Sequence, residues 1–272
     1  MPDDHASTAA TNPRPLTPHV GAVLSGITAS AAPNLETVMA IRDALAEHLV
    51  VILPDQDLSA VELRDFVSHF GPLFTHHSDE GVLMADGIPE VLEMRKEPDS
   101  HRLFGGDGWH ADITFRKPGG HLSFLHAKIL PPVGGDTGYS STIAAFSALS
   151  ERMQDLLRGL NGVHSYDGPG RPDHPEQTAI HPVVRRHPDT GKAGLFINTM
   201  FTTRFEGMTA EESKPLIHFL DQHMTRPEFT CRVSWKPGQI TIWDNRFTLH
   251  YPINDFTGHR RLLIRCSTIE TE

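Results

Sequence analysis

The 272-residue sequence has no apolar stretch approaching the roughly 18 residues needed to span a bilayer. Its first residues, MPDDHASTAATNPRP, lack a basic segment followed by an apolar one. Both absences lead us to expect a cytoplasmic protein with no membrane partner. Cysteine is scarce: only Cys231 and Cys266 are present, both in apolar strand-like segments and neither in a CxxC spacing. That excludes a disulfide framework and a structural zinc site, and predicts two buried, reduced thiols. Basic residues are outnumbered, with 24 Lys and Arg against 34 Asp and Glu for a formal net charge of -10. No dense Lys/Arg run reverses that field locally, so nucleic acid is not an expected partner.

What the chain does have is turn formers. With 22 Gly and 21 Pro it is rich in irregular connections, which favours a loop-rich β architecture over a helical bundle. The length suits one large domain, here 16–272, preceded by a polar, Pro-containing tail over 1–15. Asn34 is placed to cap a helix with Val38, Ile41 and Leu45 on one face, followed by the strand-like run Leu49 to Leu53. Ser59 with Glu62 and Thr209 with Glu212 have the capping-box pattern, each ahead of an amphipathic stretch. A further helix is predicted over Glu151 to Leu160. Strands are predicted over Phe229–Trp235, Gln239–Trp243 and Arg261–Cys266. Several strands with few helices point to a mainly β fold with flanking α-helices, a two-sheet barrel or jelly roll. The polar stretch from about 165 to 181 is too long for an ordinary connection and reads as a lid.

The sequence holds 18 histidines, and their positions rather than their number carry information. In Gly108-Trp109-His110-Ala111-Asp112, an extended strand would project His110 and Asp112 to the same face. An imidazole and a carboxylate supply two corners of a metal site. An HxD pair arises by chance in many chains, so a third ligand is required. The segment Trp243-Asp244-Asn245-Arg246-Phe247-Thr248-Leu249-His250 supplies it, and His110, Asp112 and His250 then form a facial triad that leaves positions open for a chelating co-substrate and O2. Arg261 follows eleven residues later, and its fork suits a carboxylate near the metal. Arg265, four residues further on, lies on the same side of the same strand, and two inward cations suggest two bound anions.

These paired segments resemble those of the taurine dioxygenase and phenoxyalkanoate dioxygenase family of Fe(II)/2-oxoglutarate enzymes. The likeness also takes in Pro131 to Thr137, Phe70-Gly71-Pro72-Leu73, Phe201-Thr202-Thr203-Arg204 and the C-terminal strands, nearly the whole chain. It implies a double-stranded β-helix and an enzyme that oxidises, most often hydroxylates, a C–H bond of a small anionic substrate while 2-oxoglutarate is converted to succinate and CO2. It implies iron held by His110, Asp112 and His250, and 2-oxoglutarate, the co-substrate beside O2, held by Thr137 and Arg261. For the substrate it implies His76 and Arg265 on an anionic group, Phe115 and Phe201 as aromatic walls, and Ile113 beside the reacting carbon. Gly106 stands where taurine enzymes carry an Asn, which argues against taurine. It makes room for a bulkier acid such as an alkyl sulfate, a phenoxyalkanoate or a terpenoid carboxylate.

Two other functional classes use parts of the same pattern. A zinc hydrolase or lyase fits the ligand set but has no use for Thr137 and Arg261, and a metal-free binding jelly roll would lack a ligand. The remaining histidines, among them His121, His126, His164 and His181, are expected to be solvated or singly hydrogen-bonded. Trp109 and Trp243 are expected in the core. The substrate, the net oxidative outcome and a homo-oligomeric state are left open.

Overall fold

A computed structural model describes residues 12–76, 83–100, 108–166 and 177–271. The helices are α1 (Leu35–His48), α2 (Ala60–Ser68), α3 (Thr142–Ser147), α4 (Glu151–Arg158) and α5 (Ala210–Met224). The strands begin with β1 (Arg14–Pro15), β2 (Ala22–Val23), β3 (Val50–Leu53), β4 (Val91–Lys96), β5 (Gly120–Ile129), β6 (Thr137–Ser141) and β7 (Asn161–Ser165). They continue with β8 (Thr178–Pro182), β9 (Val184–Arg186), β10 (Ala193–Leu195), β11 (Thr202–Phe205), β12 (Thr230–Val233), β13 (Ile240–Asp244), β14 (Thr248–Pro252) and β15 (Arg261–Ile269). The fold is mainly β with few helices.

Seven strands form the main sheet in the order β1-β2-β3-β13-β5-β15-β4, and β12-β6-β14 form a smaller one. Strand alternation explains how the main sheet serves two cores at once. On one face Val51, Leu53, Leu122, Phe124, Ile240, Ile242, Ile264 and Cys266 pack against α1 and α2. On the other, Val50, Ile52, Leu125, Ala127, Trp243 and Leu263 meet Tyr139, Cys231 and Val233 of the smaller sheet. Of the uninterrupted apolar run at Leu49–Leu53, Val50–Leu53 is thus a strand buried on both sides, and Leu49 is the left-handed cap that ends α1. A third core gathers Phe146, Leu220, Met224 and Leu249 around α3, α5 and the outer face of β14.

The helix starts follow the sequence closely. Asn34 Oδ1 accepts from Thr37 N at 2.8 Å, and both Ser59–Glu62 and Thr209–Glu212 close as reciprocal capping boxes. α4 ends at Arg158 rather than Leu160, and Leu156, expected on its apolar face, is 51% exposed. Helix α3 was not anticipated: Ser141 caps only six residues, too few to show a periodicity. Of the tail over 1–15, Arg14 and Pro15 pair with Val23 and Ala22, while residues 1–11 lie outside the described chain. Of the lid over 165–181, residues 167–176 also lie outside it, and Thr178–Pro182 forms β8 against β7. Among the described residues no helix is long and apolar enough to cross a membrane.

Both cysteines are free and buried, and burial pushes their thiols up to about 12. His126 and His164 are fully buried and His181 nearly so, where solvation had been one expectation; each makes a hydrogen bond, His181 Nε2 to the Thr114 carbonyl at 2.9 Å. Burial first, and then neighbouring cations, pull His126 and His181 down to about 4, so both imidazoles are neutral within the core.

Phe124 is fully buried and packs edge-on to Phe66 at 6.0 Å and tilted on Phe70 at 5.1 Å. Phe124→Ala should therefore cost about 3–5 kcal/mol of unfolding free energy, measured by urea denaturation, without altering the metal site on the opposite face.

Candidate metal centre

His110 and His250 face each other as a closely bonded antiparallel pair, His110 N to His250 O at 3.0 Å and His250 N to His110 O at 2.7 Å. Such a pair sends both side chains to one face, and the ring centroids are 4.1 Å apart. The His110 segment was expected to continue as a strand through Asp112, and it does not. Only His110 makes the bridge, and residues 112–115 turn away. Two contacts account for the turn. The Asp112 N–H donates to Asn245 Oδ1 at 3.0 Å instead of to a strand partner, and Ile113 adopts φ 59°. That left-handed conformation is strained for a β-branched residue, and strain of this kind gathers at functional sites. Gly120 makes the turn possible, since a Cβ there would sit 2.6 Å from the Asp112 carbonyl oxygen.

The result brings Asp112 beside both imidazoles. His110 Nε2 lies 3.8 Å and His250 Nε2 4.0 Å from Asp112 Oδ1, and the ligating atoms all lie within 4.8 Å of one another. A metal with bonds of about 2.1 Å fits this set after a contraction of about 1 Å. All three residues are buried. His110 Nδ1 lies 3.0 Å from the Gly108 carbonyl, which places its proton there and leaves Nε2 as the acceptor for a metal. Burial, reinforced by His110, pulls His250 down to about 3, so it is a neutral ligand. Burial alone would raise the Asp112 carboxyl, but Arg265, His250, His110 and the Ser123 hydroxyl outweigh it and hold the group well below the usual carboxylate range.

The turn from β13 to β14 sets the position of His250. Arg246 pairs with both oxygens of buried Asp244, at 2.9 and 2.6 Å, and Thr248 Oγ1 donates to the Asp244 carbonyl. Asn245, between them, accepts from Trp243 Nε1 at 3.0 Å as well as from Asp112 N, and donates to Ser123 Oγ at 2.9 Å. Ser123 in turn donates to Asp112 Oδ2 at 3.1 Å. Asn245 and Ser123 were not singled out from the sequence. The available signal was an Asn at a strand end within the same segment as His250, but its partners Asp112 and Ser123 lie more than 120 residues away.

The other anticipated residues fall into two groups. Arg261 is 1% exposed at the start of β15; its Nη2 donates to the Gly135 carbonyl at 2.8 Å, and its guanidinium lies over Trp235 and Phe256 at 5.8 and 5.5 Å. Trp235 Nε1 donates to Thr137 Oγ1 at 3.0 Å, tying Thr137 to the same corner. Burial lowers Arg261 to about 10, a penalty that an arriving carboxylate relieves. Arg265 shares the inward face with Arg261 as its spacing predicts, and its Nη1 contacts Asp112 Oδ1 at 3.0 Å. It borders the metal ligands directly. Phe115 and Phe201 meet at 5.0 Å, Phe201 lies 6.2 Å from His110, and Tyr166, unforeseen, joins Phe115 at 4.7 Å. Ile113 is buried at the left-handed turn. His76 is half-buried and packs edge-on to Phe74 at 4.6 Å, and Arg116 covers Phe74 and Phe115 in turn. Gly106, on which the argument against taurine rested, lies outside the described residues. Trp243 is a core residue, as expected.

With this geometry in place, comparison with known proteins is decisive: the family model described as taurine catabolism dioxygenase TauD, TfdA family matches residues 12–267. The chain belongs to the TauD/TfdA dioxygenase family. Among TauD/TfdA relatives, the alkylsulfatase of Acinetobacter baylyi is 35% identical over 270 residues, covering 93% of this chain and 83% of the relative. The alpha-ketoglutarate-dependent 2,4-dichlorophenoxyacetate dioxygenase of a Burkholderia species is 35% identical over 254 residues, covering 84% of each. The crystal structure of a taurine dioxygenase from Burkholderia xenovorans superposes with a TM-score of 0.82 at 33% identity, covering 96% of this chain and 89% of that one. The mainly β architecture is thus that of solved TauD-type dioxygenases.

Asn245→Ala removes the acceptor that fixes the Asp112 backbone and the donor to Ser123. It should weaken divalent-metal binding roughly 10- to 100-fold in a Mn(II) titration while leaving the chain folded.

Proposed function

We propose that this TauD/TfdA member is an Fe(II)- and 2-oxoglutarate-dependent dioxygenase that hydroxylates a C–H bond of a small anionic organic substrate, with release of succinate and CO2. The observation that carries this reading is the buried His110–Asp112–His250 cluster with a buried guanidinium and hydroxyl, Arg261 and Thr137, in the same sheet sandwich. When bound, iron and 2-oxoglutarate supply O2 activation and C–H oxidation. The two facing sheets are read as a double-stranded β-helix, consistent with the likeness to taurine dioxygenase. The absence of a long apolar helix among the described residues is compatible with a cytoplasmic location.

The residues have separate tasks in this reading. His110, Asp112 and His250 would hold the metal through one carboxylate and two imidazoles, a ligand set that suits Fe(II) oxygenase chemistry. A neutral imidazole and an ionised carboxylate are the protonation states that ligation needs, and His250 and Asp112 are held in them by their surroundings. Arg261 and Thr137 bind the distal carboxylate of the keto acid, whose other end then faces the metal. Arg265 presents a cation beside Asp112 and so brings a substrate anion close to the centre. Phe115, Tyr166 and Phe201 form an apolar wall that excludes water and lies against the carbon skeleton. Such a wall suits an anion with an apolar body, an alkyl sulfate or an aryloxy acid, better than a compact amino sulfonate. The names of the relatives agree, since they include an alkylsulfatase and a 2,4-dichlorophenoxyacetate dioxygenase. A zinc hydrolase would use the same three ligands, but it leaves the Arg261–Thr137 corner without a role.

Anaerobic addition of Fe(II) and 2-oxoglutarate should give the weak visible charge-transfer band of a chelated keto acid. His110→Ala should abolish it, and Arg261→Met should raise the 2-oxoglutarate concentration it requires by roughly 10- to 100-fold. A wild-type protein without the band would refute the oxygenase reading. Screening alkyl sulfates, aryloxy acids, sulfonates and terpenoid acids for coupled succinate release then identifies the substrate class.

A further inference from the structure

Lys96 is the last residue of β4 and stands directly opposite Arg261 in the antiparallel register of β4 and β15. Directly opposed residues leave a sheet on the same face, so the Lys96 side chain runs inward beside Arg261. It is 7% exposed, which is rare for a lysine. Its ammonium lies 4.8 Å from the ring of Phe256, and the same ring carries the Arg261 guanidinium at 5.5 Å. One buried aromatic ring therefore contacts two cations.

Among the described residues no carboxylate comes within ion-pair distance of Lys96. The acids around that corner are committed elsewhere. Asp136 is held by Arg232 at 2.6 Å and by the Ser234 hydroxyl at 2.9 Å. Asp255 accepts from Gly135 N at 2.7 Å and lies 3.5 Å from Arg232. Glu97, next in sequence, points to Arg95 and Arg260 at 3.7 and 3.5 Å. A largely buried lysine next to a buried guanidinium, with no carboxylate at hand, is an expensive arrangement in the absence of an anion. It becomes favourable when one carboxylate meets both charges.

We infer that Lys96 is a second cation for the distal carboxylate of the keto acid, acting beside Arg261 and Thr137. This rests on the 2-oxoglutarate reading given above and adds to it a residue and a selectivity. The two cations serve different ends. Arg261 offers a planar fork that fixes orientation, whereas Lys96 offers a compact charge that adds attraction without a set geometry. The corner therefore discriminates by charge at the far end of the co-substrate. A keto acid with a distal carboxylate gains from both cations, and one with a neutral tail forgoes that gain.

The test uses the full chain loaded with Mn(II) and titrated calorimetrically with two ligands, 2-oxoglutarate and 2-oxobutyrate, which shares the keto-acid head but lacks the distal carboxylate. Lys96→Met and Lys96→Gln should lose roughly 10- to 100-fold in affinity for 2-oxoglutarate and change little for 2-oxobutyrate, while Lys96→Arg should stay within severalfold of wild type. In thermal unfolding of the ligand-free proteins, Lys96→Met should melt no lower than wild type, because an uncompensated buried charge has been removed. Its stabilisation by 2-oxoglutarate should shrink. The inference is overturned if a folded Lys96→Met binds 2-oxoglutarate as tightly as wild type, if both ligands lose affinity equally, or if Lys96→Arg falls as far as Lys96→Gln. If wild-type protein does not bind 2-oxoglutarate, or Arg261→Met does not weaken it, the co-substrate reading itself fails and takes the Lys96 role with it. Retained Arg261 dependence with an indifferent Lys96 overturns the Lys96 role alone.

Discussion

The mutual backbone hydrogen bonds between His110 and His250 are the constraint on which the centre depends. They join a turn that leads into the main sheet to a strand of the smaller one, and so fix two imidazoles 4.1 Å apart at the seam between the sheets. Everything else at the seam serves that juxtaposition. Asn245 holds the Asp112 backbone, Gly120 leaves room for its carbonyl, and the Asp244–Arg246 pair tightens the turn that delivers His250. Because these groups are buried, each lost contact leaves a polar group unsatisfied, which makes the arrangement stiff as well as specific.

Charge is distributed along β15 in a way that separates two cations, each proposed above to meet a different anion. Arg265 sits at the metal ligands and Arg261 lies four residues away, with Lys96 alongside. Strand geometry sets this division, since inward residues four apart are roughly 13 Å apart along an extended strand. A keto acid reaching from the metal toward Arg261 and a substrate anion held at Arg265 can therefore coexist without competing for one cation. Arg265 already meets Asp112, whereas the acidic groups nearest Arg261 and Lys96 are engaged by Arg232, Arg95 and Arg260.

Much of this was legible in the sequence because its causes are local. The capping boxes at Ser59 and Thr209, the two-sided burial of Val50–Leu53 and the shared face of Arg261 and Arg265 each depend on residues a few positions apart, where spacing is geometry. The metal residues were found by the type and spacing of His110 and Asp112, although the strand invoked to explain them is absent: the pair is gathered by a left-handed turn at Ile113. Which of the two expected states, solvated or hydrogen-bonded, the histidines adopt was not legible for a related reason. His126, His164 and His181 are buried because strands distant in sequence close over them, and polar flanking residues gave no sign of that.

The sequence by itself determined the chemistry available to this protein: one carboxylate and two imidazoles for a metal, arginines on one face of a strand, and the family pattern that links them. Only the tertiary structure decided which polar groups support that chemistry. Asn245, Ser123, Tyr166 and Lys96 have no local pattern that distinguishes them, because their roles come from neighbours contributed by other strands and turns. A ligand set can be written in residue types and spacings, whereas the partners that orient it are chosen by which strands pair, and that choice is made by the burial of two cores on opposite faces of one sheet.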